Sequence, residues 1–141
     1  MKSKLILVGV VVAVLLSLVA CTSAPKQAEV SVDIDDFMEV QHISQEVEVA
    51  VDGSLTVTLG SNQTTGFKWE LAEITDESVL EYVDDEYVPP EDTGVVGAGG
   101  KEVWTFTALK KGTTEVSMEY SRPWEGGEKA EWTFVLTVVV K

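Results

Sequence analysis

The chain has 141 residues, with 24 Asp and Glu against 10 Lys and Arg, for a formal charge of −14 at pH 7. Phosphate backbones are bound by neutralising them with Lys and Arg, so this balance argues against a nucleic-acid partner and favours solubility and fast encounter with basic surfaces. A single Cys and a single His allow no internal disulfide and too few ligands for a zinc site, and no cofactor or metal is implied.

In chain order, Lys2 and Lys4 precede a run over residues 5–20 that is apolar except for Ser17 and ends in "SLVAC". A positive start, an apolar stretch and small residues before a cut site describe a secretory signal. The run falls short of the roughly 20 residues that span a bilayer. Leu18-Val19-Ala20-Cys21 resembles a bacterial lipobox. That resemblance implies a signal peptide over residues 1–20, lipid on Cys21, and a lipoprotein held on a membrane of the bacterial cell envelope, outside the cytoplasm. Two or more acyl chains make such anchoring stable.

Residues 21–41 are small, polar and acidic ("CTSAPKQAEVSVDIDD" and onward). They read as a tether, with Phe37 and Met38 touching the fold. Asp33, Asp35 and Asp36 lack the glycine turn and distal glutamate of a calcium loop. The folded domain is expected over residues 42–141, a length that suits one domain with a real core.

From there the apolar residues alternate: Val47, Val49, Val51; Leu55, Val57, Leu59; Phe67, Trp69, Leu71; Trp104, Phe106; Val116, Met118, Tyr120; Trp132, Phe134, Leu136, Val138. Period two in β-branched and aromatic residues marks half-buried strands, expected over residues 54–59, 67–72, 79–88, 101–108, 113–120 and 130–140. Turn signals separate them. No helix of ten residues is expected after the signal. Short, evenly spaced strands predict an all-β, immunoglobulin-like antiparallel sandwich, with a monomer as the default state.

If successive strands reverse direction, connections alternate between the two ends. "SNQTTG", "PPEDTGVVGAGG" and "SRPWEGG" then share one end. Asn62-Gln63-Thr64-Thr65-Gly66, followed by Phe67, is a turn composition. As structure it joins two strands; as function it offers small hydroxyl side chains and bare backbone to a narrow cleft. Gly97, Gly99 and Gly100 around Ala98 let another backbone approach closely. Arg122-Pro123-Trp124 puts a large aromatic in a polar connection, either as a binding anchor or folded back over the sandwich end. Trp69, Trp104 and Trp132 lie within strands and read as core.

"NQTTGFKW", "GAGG" and "RPW", in this order, resemble the chagasin-like inhibitors of papain-like cysteine proteases, over roughly Gln45 to the C-terminus. The resemblance implies that Asn62, Gln63, Thr64, Thr65, Gly66 and Phe67 approach the catalytic cysteine of the protease. It implies that Gly97, Ala98, Gly99 and Gly100 flank the non-primed side and that Arg122, Pro123 and Trp124 pack on the primed side. Gln63 departs from the family's proline. Two other readings compete. An immunoglobulin-like adhesin or carbohydrate-binding module would use Trp124, Tyr82, Tyr87 and Tyr120. An enzyme would need a base that His42, the sole histidine, is poorly placed to supply, or paired acids among Glu91, Asp92 and Glu125.

Overall fold

A computed structural model describes residues 23–91 and 99–141. The expected signal peptide, Cys21, Asp92, Gly97 and Ala98 lie outside the described residues. Eight strands and one short helix follow one another: β1 (Gln27–Val32), α1 (Ile34–Glu39), β2 (His42–Val49), β3 (Ser54–Ser61), β4 (Lys68–Ile74), β5 (Leu80–Val88), β6 (Gly100–Ala108), β7 (Gly112–Ser121) and β8 (Trp132–Val140). They form two four-stranded sheets, ordered β1-β3-β6-β5 and β2-β8-β7-β4. The all-β sandwich is as expected, and the anticipated strand limits hold within two residues.

The alternation explains the layering. Leu55, Val57 and Leu59 of β3, Trp104 and Phe106 of β6, Val116, Met118 and Tyr120 of β7, and Phe134, Leu136 and Val138 of β8 point inward and are buried. Their neighbours face solvent or are half-covered, as the pleat requires. The pairs β3–β6, β5–β6, β7–β8 and β4–β7 are antiparallel. At one edge of each sheet, the pairs β1–β3 and β2–β8 are parallel.

The tether reading is corrected here. Residues 27–39 belong to the folded body, so its start precedes residue 42. Ala28, Val30 and Val32 are 4%, 7% and 3% exposed, and β1 runs beside β3 in register from Gln27↔Ser54 to Val32↔Leu59. Phe37 is fully buried from α1. The physical reason is that the acidic and polar residues all occupy outward positions of a strand and a short helix, so the segment's overall polarity hid its inward face.

Strand directions place at one end the connections 33–41, 62–67 and 122–131, together with the described ends of the β5–β6 connection, residues 89–91 and 99. The turns at residues 50–53, 75–79 and 109–111 lie at the other. The three loops singled out from the sequence therefore share a pole, and α1 joins them there.

Candidate functional site

The central loop is a single 3-10 turn, Gln63–Thr65, held from within. Asn62 Oδ1 accepts from the Thr64 N–H at 3.2 Å and from the Thr64 hydroxyl at 2.5 Å. The Thr65 hydroxyl donates to the Asn62 carbonyl at 2.7 Å, and the Gly66 N–H closes on the Gln63 carbonyl at 3.0 Å. The threonine hydroxyl protons thus point back into the loop. What the apex offers outward is backbone and the exposed side chains of Gln63, Thr64 and Thr65. Gly66 sits at φ +83°, in the left-handed region, and a Cβ there would lie 2.5 Å from Cη2 of Trp124. Both constraints require glycine.

The tryptophan loop is laced to itself and to the central loop. The Arg122 N–H donates to the Glu128 carbonyl at 2.8 Å, and the Gly127 N–H to the Trp124 carbonyl at 3.0 Å. Arg122 Nη1 and Glu128 Oε1 pair at 3.1 Å. Lys129 Nζ donates to the carbonyls of Arg122 and Trp124. Arg122 Nε reaches the Thr65 carbonyl at 3.2 Å, and its guanidinium lies 4.6 Å from the centre of the Phe67 ring. Arg122 is therefore a strut between loops. Trp124 rests one edge on Gly66 yet stays 52% exposed. It is at once folded back and available.

On the opposite flank, Gly99 is exposed beside the central loop: a Cβ on it would lie 3.2 Å from Ile34 Cδ1 and 3.9 Å from Asn62 Cβ. A Cβ on Gly100 would meet the Val88 carbonyl at 2.4 Å and the Tyr87 hydroxyl at 2.6 Å, so the exit of this loop is closed to any side chain.

Beneath the loops lie residues to which the sequence reading gave no part in supporting them. Tyr120 Oη accepts from the Asn62 N–H at 2.8 Å. Glu102, 4% exposed, takes the Ser61 hydroxyl at 2.6 Å and the Trp69 N–H at 2.9 Å on one carboxylate oxygen, tying β3, β6 and β4 across the two sheets. Burial pushes its carboxyl above the usual range, opposed by those two hydrogen bonds. Trp69 Nε1 donates to the Gly60 carbonyl at 3.0 Å. Phe67, Tyr120, Trp132 and Phe37 form a continuous stack, with centroid spacings of 5.3, 4.6 and 5.5 Å. Alternation marked Tyr120 and Trp132 as strand residues. Nothing local to them announces a bond to Asn62 or a partner in α1.

The rival site readings fare differently. Tyr120 is only 3% exposed and so cannot present its face to a sugar. Tyr82 and Tyr87 belong to β5, in the sheet opposite the hairpin that carries Trp124. His42 bonds Thr133, while the buried Ser61 bonds Glu102, so no serine–histidine pair forms between them.

Among the described residues, a sandwich that gathers preformed central and tryptophan loops at one pole, with an exposed tryptophan between them and solvent, has the form of a loop-presenting binding protein. Residues 48–138 match the family described as chagasin family peptidase inhibitor I42, and the chain belongs to that family of inhibitors, which are not enzymes. It is 40% identical over 88 residues to Chagasin of Trypanosoma cruzi, covering 60% of this chain and 79% of that protein. Among solved structures, the cysteine protease inhibitor EhICP2 of Entamoeba histolytica superposes with a TM-score of 0.63 at 24% identity, covering 83% of this chain and 99% of that one. PbICP-C, solved in complex with falcipain-2, gives 0.51 at 16% identity, covering 82% and 98%. At these identities the two structures support the fold alone.

Proposed function

We propose that this protein inhibits papain-like cysteine proteases by filling their active-site cleft with the central, glycine and tryptophan loops. The observation that carries this reading is the convergence of the loops: Gly66 abuts Trp124 on one side, and Gly99 neighbours Asn62 on the other. The wedge performs no chemistry. Its central and tryptophan turns are bonded internally before any partner arrives, so little ordering entropy is lost there on docking. The central loop would lie over the catalytic cysteine, with Gly97, Ala98, Gly99 and Gly100 to one side and Pro123 and Trp124 to the other. The interface is expected to be of standard size, about 800 Å² per partner.

Titration into papain with a fluorogenic peptide tests it. Stoichiometric, reversible loss of activity is expected. Trp124→Ala should weaken binding by about 2–4 kcal/mol, as removal of an anchoring tryptophan does. Undiminished turnover at micromolar protein across several papain-like enzymes would overturn the reading.

Residues 1–22 bear on where this happens. The lipobox resemblance supports lipidation at Cys21 and display from an envelope membrane, with inhibition directed at proteases outside the cytoplasm. Cells fed labelled fatty acid should incorporate it into the parent chain and not into Cys21→Ser; equal labelling would remove the anchor.

A further inference from the structure

We infer that α1 is a fourth protease-contacting element, which meets one wall of the enzyme's cleft beside the wedge. The inference rests on the inhibitor reading above. The glycine loop joins β5 to β6 within one sheet, and the tryptophan loop joins β7 to β8 within the other. The central loop crosses from β3 to β4 between them. These three therefore form a row that runs from one sheet to the other. The segment carrying α1 also crosses between sheets, from β1 to β2, alongside the central loop. A row of loops seated along a cleft leaves α1 facing the cleft's side.

The helix is held hard against that row. A Cβ on Gly60 would fall 2.4 Å from the Ile34 backbone nitrogen, and Ile34 Cδ1 borders Gly99. Phe37 is fully buried, stacked on Trp132 and 4.9 Å from Trp69. With its inner face so fixed, α1 turns Met38 to solvent at 69% exposure, and Val40 just after it is 56% exposed.

Between α1 and the loops runs a groove of about 330 Å³. Ile34, Met38, Phe67 and Trp132 supply apolar walls, and polar residues, Arg122 and Glu131 among them, line the rest. Asn62, Thr65, Phe67 and Arg122 belong equally to this groove and to the wedge, so a partner seated on the loops reaches it without a gap. The occupant that fits is an apolar side chain on the rim of the protease cleft. Met38 is suited to such a contact, because its unbranched thioether adapts to differing surfaces. Papain-like enzymes that differ at that rim would be discriminated here, while the wedge meets what they share.

The test compares the full chain with its Met38→Glu and Met38→Ala variants, by inhibition constants against papain and two further papain-like proteases, thermal melting, and sedimentation. With unchanged melting, the inference expects Met38→Glu to weaken inhibition about tenfold or more, Met38→Ala to weaken it less, and the ratio to differ between enzymes. Equal inhibition by parent and variants overturns this inference and leaves the inhibitor reading standing. Absence of inhibition by the parent overturns both. A parent that sediments as a dimer, dissociated by Met38→Glu, assigns the groove to a second copy of the chain and also overturns it.

Discussion

Glu102 is the residue on which the geometry of the site turns, since it joins the end of β3 to the start of β4 just below the central loop. Its folded-state pKa is raised by burial. The consequence for stability has a definite sign. Below about pH 4.5, the ordinary glutamate value, folded and unfolded chains both hold the proton. As pH rises through that value the unfolded chain ionises first, so the folded state loses stability until its own, higher pKa is passed, and the loss is constant above it. Glu102→Gln removes this titration while keeping an oxygen to accept from Ser61 and Trp69. The stability of the parent minus that of Glu102→Gln, from urea melts at pH 4 and pH 7, should therefore decrease with pH. A difference that stays level would mean that the fold does not raise the pKa of this carboxyl. Another residue-scale feature has no such remedy: Trp104 Nε1 is buried without a hydrogen-bond partner among the described residues.

At the scale of the element, the central loop explains what Gln63 in place of proline does. Gln63 opens the 3-10 turn, where proline's fixed φ is tolerated. The turn's hydrogen bonds are donated by the N–H groups of Thr64, Thr65 and Gly66, so proline at 63 would delete none of them. Asn62 before it is already extended, at φ −117° and ψ 94°, as a residue preceding proline prefers. Gln63→Pro should therefore stiffen the free loop by about 0.4–1 kcal/mol and tighten inhibition by roughly two- to fivefold. Weaker inhibition by Gln63→Pro would show that the loop rearranges on docking. The loops were legible in the sequence because turn residues have local causes: positive φ demands Gly66, and a polar connection makes Trp124 conspicuous. Strand polarity then sufficed to gather them at one pole. Their support was not legible. Glu102 looks like one acid among 24, and only the register of β3, β6 and β4 shows its partners. β1 and α1 were misread as a tether because their few inward residues are scattered among acids. Three alternating residues and one phenylalanine decide burial, whatever the average polarity of the segment.

The whole molecule joins a stiff wedge to a strong negative field, and the two act on different steps of association. Complementarity at the loops governs how long a complex lasts, and the summed charge governs how fast partners meet. At −14, the chain attracts any protease with net positive charge over distances set by the ionic strength, about 30 Å at 0.01 M salt and about 3 Å at 1 M. Internal bonding of the turns is short-ranged and responds little to salt. Stopped-flow association with a basic papain-like enzyme should therefore slow about tenfold or more as salt rises from 10 mM to 500 mM, within the range that steering supplies. The dissociation rate should change far less, and with an acidic enzyme of the same class the association rate should rise with salt instead. Trp124→Ala should do the reverse, raising the dissociation rate and leaving the salt slope of association intact, because it removes contact area and no charge. A dissociation rate that climbs with salt as steeply as association falls would mean that ion pairs hold the complex, and would move the binding energy away from the three loops.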